Sequence, residues 1–560
     1  MTEEHVENSK SASEGLLFLP LGGTGEIGMN FNLYGLKKNG NESWLIVDCG
    51  IGFSGNDTPE ADLLVADPTF IEERSSLIAG LVLTHAHEDH LGAVVHLWPL
   101  LKCPVYATPF AATILRRKLS EANLQNQVQI HVIKPASRFE VGDFDLEFIP
   151  VTHSIPEAQA LVIRTGQGNI LHTGDWKLDP NPLVGPVTDL DTLKKLGDEG
   201  VLAMIGDSTN SLKEGASVSE SLVREGLTDL IQGRNGRIAV TCFASNVARV
   251  ESIAKAAEAA GRSVMIVGRS LKNLEAAARE CGYLKDIPSF LTEDDVENVD
   301  LDKVVMMITG SQGEARAALS RVAAETHNAI QLRENDTIIY SSRVIPGNER
   351  AVSAIQDQFR RRGIHVVTDR DAVVHTSGHA TSEDIRHLYS LVRPRYSVPT
   401  HGEWRHMNAH AAIAHEQGSQ VILLEDGDVL GLGPGKVEVV DTVPTGRMAL
   451  DAGRLLPMTG KVLTERRRML YNGTVLASFA VDDEGYVIGD PRITAPGLLD
   501  EDAVETSQIQ QQFALALDQI PDELRQDDQT FQNAARTALR RALGRKLRKR
   551  PHVDVHLLRV

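Results

Sequence analysis

Cysteine is scarce in this chain: Cys49, Cys103, Cys242 and Cys281 are the four among 560 residues, and no two share a C-x-x-C spacing. That pattern argues against a thiolate zinc site and against a disulfide framework, and it fits a reducing cytoplasm. Long apolar runs are missing as well. None approaches the roughly 18 residues that suggest a membrane span. Residues 1–14 are polar and acidic, lack the basic-then-apolar order of a signal peptide, and read as a mobile tail. Positive charge is in deficit, with 57 Lys and Arg against 76 Asp and Glu, for a net −19. Such a balance argues against general adhesion to nucleic acid or acidic lipid, while leaving room for a local basic groove. No internal repeat or long low-complexity segment is visible. What remains is an ordinary globular composition, 42% hydrophobic and 24% charged. The length suggests roughly three to four domains.

The densest chemistry lies in Thr84-His85-Ala86-His87-Glu88-Asp89-His90-Leu91-Gly92. It follows Gly-Leu-Val-Leu at 80–83, which reads as a buried strand. Three histidines and two acids then fall within six residues. In an extended chain His85 and His87 point to one side, while Asp89 and His90 come after the turn and face a second point. Such a cluster suits two metal ions held side by side, and imidazole with carboxylate suits zinc and manganese.

Upstream, residues 18–34 read as strand, glycine-rich turn and strand. The glycines fail the dinucleotide spacing, and the turn is either structural or substrate-facing. Asp48 ends a buried strand, as a turn former or as a carboxylate that orients the histidines. Downstream, strands alternate with helices at 94–101 and 110–119, an α/β texture. His153 and Asp175 sit at strand ends, and His172 lies within a strand pattern as a core histidine. From about Ser217 a β-α-β run of its own begins, typical of an open parallel sheet. Its turns Phe243-Ala244-Ser245-Asn246 and 309–314 lie where backbone N–H groups can receive phosphate or where a helix is simply capped. Residues 373–379 start as a strand and end in a small-residue turn, and His401 ends another strand. Residues 446–460 read as a linker, and 461–560 as a small α/β domain whose helix ends in the basic run 545–550. That run is a solvated helix end or a contact for RNA or a partner.

The pattern H-x-H-x-D-H at His85 to His90, with His153 and Asp175 later, resembles the metallo-β-lactamase superfamily. The inserted β-α-β region is similar to the β-CASP nucleases, with Asp207, His379 and His401 at their motifs A, B and C. Leu-Gly-Gly-Thr-Gly-Glu-Ile-Gly, Asp-Ser-Thr-Asn, Phe-Ala-Ser-Asn, Thr-Gly-Ser-Gln-Gly-Glu, Thr-Ser-Gly-His and His-Gly-Glu together resemble the bacterial ribonuclease J family. Met29 and Ala315-Arg316 depart from the family's usual residues.

The resemblance implies an αββα sandwich in two parts, 15–212 and 370–445, with a β-CASP domain at 213–369 between them and a C-terminal domain after the linker. It implies two divalent ions per subunit, zinc or manganese. One would be held by His85, His87, His153 and Asp175, the other by Asp89, His90, Asp175 and His401. His379 would protonate the leaving 3′-oxygen, with Asp207 orienting it or a ligand histidine. The turn His375-Thr376-Ser377-Gly378-His379 and the turn Phe243-Ala244-Ser245-Asn246 would contact the RNA. The implied activity is 5′→3′ exonuclease action on 5′-monophosphate ends, with endonuclease action, in RNA maturation and mRNA decay. A cytoplasmic homodimer or homotetramer is implied, with partners in RNA degradation and no membrane. Alternatives are an endonuclease-only processing enzyme, a hydrolase of small esters or lactones, and a non-catalytic RNA-binding subunit.

Overall fold

The structure, a computed structural model, describes residues 14–560 apart from 39, 54–57, 59–60, 62, 500–503, 545–546 and 548. The tail expected at 1–14, up to residue 13, and half of the basic run 545–550 therefore lie outside the described residues. These residues divide into a large unit, up to Phe53 and then Leu64–Arg447, and a small one, Met448–Val560 with the described residues of Ser54–Leu63.

In the large unit two sheets lie face to face. Among the described residues the first has eight strands, in the order Glu438–Thr442, Asp428–Gly433, Glu14–Gly22, Phe31–Lys38, Asn41–Val47, Ile78–Val82, Val105–Ala107 and Ile130–Val132. The second has seven: Arg138–Val141, Phe144–Pro150, Gln159–Thr165, Gly168–His172, Val201–Asp207, Tyr396–Thr400 and Gln420–Val421. Alternation along the strands decides what each face buries. Leu161 and Ile163 join Phe144, Leu146 and Phe148 in a core shared with Phe18, Tyr34, Leu45 and Val82 of the first sheet. Their neighbours Ala160 and Val162 face the other way, onto Leu193, Leu196, Ile385, Leu388 and Ile413. Those come from the helices Leu190–Glu199, Ser382–Val392 and Trp404–Glu416.

One connection governs the site. Strands Val201–Asp207 and Tyr396–Thr400 are parallel neighbours, with Asp207 opposite Thr400. Between them the chain leaves and builds a separate parallel sheet, in the order Ser263–Val267, Val304–Ile308, Ile238–Thr241, Thr337–Tyr340 and His365–Val367. Its three inner strands, Val-Val-Met-Met-Ile at 304–308 among them, are buried throughout, as a sheet covered on both faces requires.

The small unit packs helices Val504–Asp518 and Asp528–Gly544 on a three-stranded sheet, burying Phe479, Phe513, Phe531 and Val553. Two sequence expectations need correction, and one strand goes unread in the sequence. Within 446–460, expected as a linker, Arg447–Asp451 and Arg454–Pro457 form a hairpin. Its two turn residues, Ala452 and Gly453, hold φ of 48° and 78°, the left-handed pair that a tight hairpin turn needs. Residues 373–375 form no strand: the Val374 carbonyl is taken by side chains instead of a ladder. And Val487–Thr494 is a strand of the small unit that Gly489 and Pro491 concealed.

Candidate metal centre

The strand Ile78–Val82 delivers its chain to the rim of the sandwich, and the next residues turn into a short helix, Glu88–Leu91, with His87 at its N-cap. His153 follows the strand Phe144–Pro150, and Asp175 follows Gly168–His172. Asp207 closes Val201–Asp207, and His401 follows Tyr396–Thr400. Five strand ends thus converge. One ligand atom from each of His85, His87, His153 and Asp175 lies within 4.8 Å of the others, and the same holds for Asp89, His90, Asp175 and His401. Asp175 belongs to both groups. Its Oδ2 is 3.2 Å from His90 Nε2, 3.6 Å from His153 Nε2 and 3.7 Å from His85 Nε2, and its Oδ1 is 3.4 Å from His401 Nε2.

Outer hydrogen bonds hold these rings. Asp48 accepts from the Thr84 N–H and hydroxyl, both at 2.8 Å, and pairs with His90 Nδ1 at 2.7 Å. His153 Nδ1 lies 2.7 Å from the Gly378 carbonyl, an acceptor only, so the proton sits on Nδ1 and Nε2 turns a lone pair inward. Gly378 is required there: a Cβ would sit 2.5 Å from the His153 ring. Asp48 and His401 both occupy left-handed backbone, φ 64° and 49°, a strained state for side-chain-bearing residues and one common at working sites.

Burial drives the imidazoliums of His85 and His87 well below the ordinary histidine range and brings His153 to about 4. Burial acts the same way on His90 and His401, but the surrounding carboxylates, Asp175 foremost, outweigh it and hold both above that range. One side therefore offers neutral lone pairs and the other calls for positive charge. His401 Nε2 is buried with no hydrogen-bond partner. Divalent cations answer all three conditions, so the residues fit such ions.

His379 lies beside this cluster. Its Nδ1 is 2.8 Å from Asp207 Oδ2 and 3.8 Å from Asp175 Oδ2. Burial lowers its imidazolium, but Asp207 and Asp175 prevail and set it at about 9. In the same turn, the Thr376 hydroxyl donates to the Val218 carbonyl, and Ser377 Oγ accepts from the His379 N–H. Of the other proposed RNA contacts, Phe243 reaches the His375 ring at 6.4 Å between centroids. Ala244 and Ser245 are half-buried, while the Asn246 side chain is buried and caps the helix Val247–Ala259 through the Arg249 N–H. His172 is a core residue on the Tyr34 hydroxyl at 2.9 Å.

Sequence reasoning missed Asn30. Its Nδ2 is 3.1 Å from His90 Nε2, from His401 Nδ1 and from the Asp89 carbonyl, so it ties the early and late histidines together. The signal was a polar side chain directly after the glycine turn. Gly50 carries a further constraint, since a Cβ there would stand 1.7 Å from the Asp89 carbonyl oxygen. Gly50→Ala is expected to destabilise the fold by roughly 3 kcal/mol, read as a lowered melting temperature. An unchanged melting temperature would show that the 89–90 peptide yields freely.

Comparison with known proteins adds to this geometry. Family models match at 235–359 (Ribonuclease J, beta-CASP domain), 43–193 (Beta-lactamase superfamily domain), 363–424 (Zn-dependent metallo-hydrolase RNA specificity domain) and 461–560 (Ribonuclease J C-terminal domain). The chain is 41% identical to the Ribonuclease J of Sinorhizobium meliloti, with 100% of both chains covered. It is 39% identical to that of Mycolicibacterium smegmatis, with 99% of each covered. Among solved structures, a protein of unknown function from Enterococcus faecalis aligns with a TM-score of 0.51 at 18% identity, covering 75% of this chain and 100% of that one. That likeness bears on the fold alone.

Proposed function

The chain belongs to the ribonuclease J family, its two stacked sheets being the metallo-β-lactamase fold and its five-stranded insert the β-CASP domain; from that premise we propose that it is a metal-dependent ribonuclease working from RNA 5′ ends. The observation that carries the reading is a pair of donor groups sharing Asp175, with the His379–Asp207 pair beside them. His85, His87, His153 and Asp175 would hold one divalent ion, and Asp89, His90, Asp175 and His401 the other. Zinc and manganese both suit these ligands. When bound, such ions activate water for attack on phosphorus and stabilise the charge that develops.

The protein's own groups do the rest. His379 gives Nδ1–H to Asp207, which leaves Nε2–H for the 3′-oxygen of the leaving strand. Asp207, which accepts from Nδ1, favours the protonated ring. Asp207 holds it in that orientation. The turn His375 to His379 grips backbone phosphate through the N–H groups of residues 375–378. Phe243 to Ser245 contact the terminal nucleotide, and the products carry a 5′-phosphate and a 3′-hydroxyl. The family resemblance supports 5′→3′ exonuclease action on 5′-monophosphate ends, with endonuclease action as a second mode in RNA maturation and mRNA decay.

Digestion of labelled RNA carrying a 5′-monophosphate, 5′-triphosphate or 5′-hydroxyl, with zinc or manganese supplied, tests this. The expected result is release of mononucleotides, fastest from the monophosphate. Internal fragments at equal rates from all three ends would replace this reading with endonuclease-only processing. No cleavage by the metal-loaded protein would overturn it.

A further inference from the structure

The turn that carries Gly378 and His379 belongs to no sheet, and what places it is a buried charge that the proposed chemistry does not use. Arg249, on the helix Val247–Ala259, is fully buried. A guanidinium in that position needs a counter-charge and acceptors for five N–H groups. Glu220 supplies the charge: its carboxylate lies 3.0 Å from Nη2 and 3.3 Å from Nε. Nη1 points the other way. It donates to the Ser341 carbonyl at 2.7 Å, the Ser341 hydroxyl at 2.9 Å and the Val374 carbonyl at 3.2 Å, and it faces His375 Nδ1 at 3.4 Å. The Ser341 hydroxyl in turn donates to the Val374 carbonyl at 2.7 Å.

Glu220 is anchored on its other side. Its backbone N–H donates to Asp179 Oδ2 at 2.9 Å, and Asp179 pairs at 3.1 Å with Lys177, itself fully buried. Lys177 stands two residues after Asp175. A line of buried charge therefore runs from the strand end bearing Asp175, through Asp179, Glu220 and Arg249, to the turn bearing Gly378 and His379.

We propose that Arg249 and Glu220 are a positioning pair, which fixes residues 374–379 so that the Gly378 carbonyl meets His153 and His379 meets Asp207. Two facts favour this over a general contribution to stability. Buried ion pairs are costly to desolvate, and an apolar pair of equal volume often packs as stably. Also, the Val374 carbonyl, in a buried residue outside any ladder, has its acceptor capacity met by the Arg249 and Ser341 side chains. The guanidinium acts on His375 too. It can only donate, so a neutral His375 accepts at Nδ1 and keeps its proton on Nε2. Only the effect on turnover rests on the ribonuclease reading; the placement of the turn does not.

The decisive variant removes both charges at once, Arg249→Met with Glu220→Leu, made in the full chain. It should fold, keep its melting temperature and still fill with metal at saturating concentration, with affinity lowered where the Gly378 carbonyl no longer orients His153. Amide hydrogen exchange over 374–379 should quicken by at least about tenfold while the rest of the sheet is unchanged. RNA turnover should fall by roughly 10²-fold in kcat, with KM little altered, because a misplaced group costs rate more than binding. Unchanged exchange over 374–379 would overturn the proposal, as would parental turnover. Should the double variant fail to fold, Arg249→Lys decides: it keeps the charge facing Glu220 but lacks the planar fork that spans Ser341 and Val374. Parental exchange and turnover in Arg249→Lys would refute the pair's role, and quickened exchange over 374–379 would sustain it. If the parent itself cleaves no RNA, the ribonuclease reading falls while the exchange measurement still judges the pair.

Discussion

Asp175→Ala is expected to empty the site of both ions and abolish RNA cleavage. The carboxylate is common to both donor groups, within 3.7 Å of an Nε2 on each of His85, His90, His153 and His401. Without it the His85 side keeps three neutral imidazoles and no anion. The His90 side loses the carboxylate that contributes most to holding positive charge on His90 and His401. Buried ligands that must share two cations cannot do so without that charge. Elemental analysis of the purified variant reads the outcome directly. Full metal content would refute the shared role, and one retained ion would assign Asp175 to a single ion.

His379→Ala separates proton delivery from metal binding. The ring stands 3.8 Å from Asp175 and packs beside the His153 and His401 rings, but its hydrogen bond goes to Asp207, so both proposed ligand sets stay whole. Metal content should match the parent, and turnover should fall by roughly 10²- to 10⁴-fold, the range for loss of a positioned acid. A substrate whose leaving group needs no proton, such as a nitrophenyl phosphodiester, should lose much less. Cleavage of RNA near the parental rate would show that the proton comes from elsewhere. Loss of metal would place His379 among the ligands, as a third donor group with Asp175, Asp207 and His401 permits.

How much of this the sequence discloses depends on how local the chemistry is. His85 to His90 are legible because five side chains of ligand type crowd one strand end, where packing gives no reason for them. His153, Asp175 and His401 are single polar residues after apolar runs, a pattern that His172 shares while bonding a core tyrosine. Only their spatial meeting separates them. Arg249 reads as one more basic residue on an alanine-rich helix, and nothing in its neighbours in sequence announces that it is buried. Asn30 and Gly378 act through hydrogen bonds across 59 residues or more, a range at which periodicity carries no information. The hairpin at 447–457 was obscured because an alanine occupies a left-handed position that usually signals itself with asparagine or glycine.

The excursion of the chain between Asp207 and Thr400, two residues that end as neighbours across one sheet, also sets a schedule. During synthesis the early histidines emerge about 300 residues before His401. The first donor group is complete once Asp175 is made, and at typical elongation rates roughly 11 to 45 s then pass in which the chain holds that group and only part of the other. For most of that interval His379 is missing, and His401 is missing to its end, so the ribosome carries an incomplete nuclease beside the message it is reading. Competence comes late, when the strand Tyr396–Thr400 slots against Val201–Asp207, and a chain truncated before that strand is expected to be inert toward RNA.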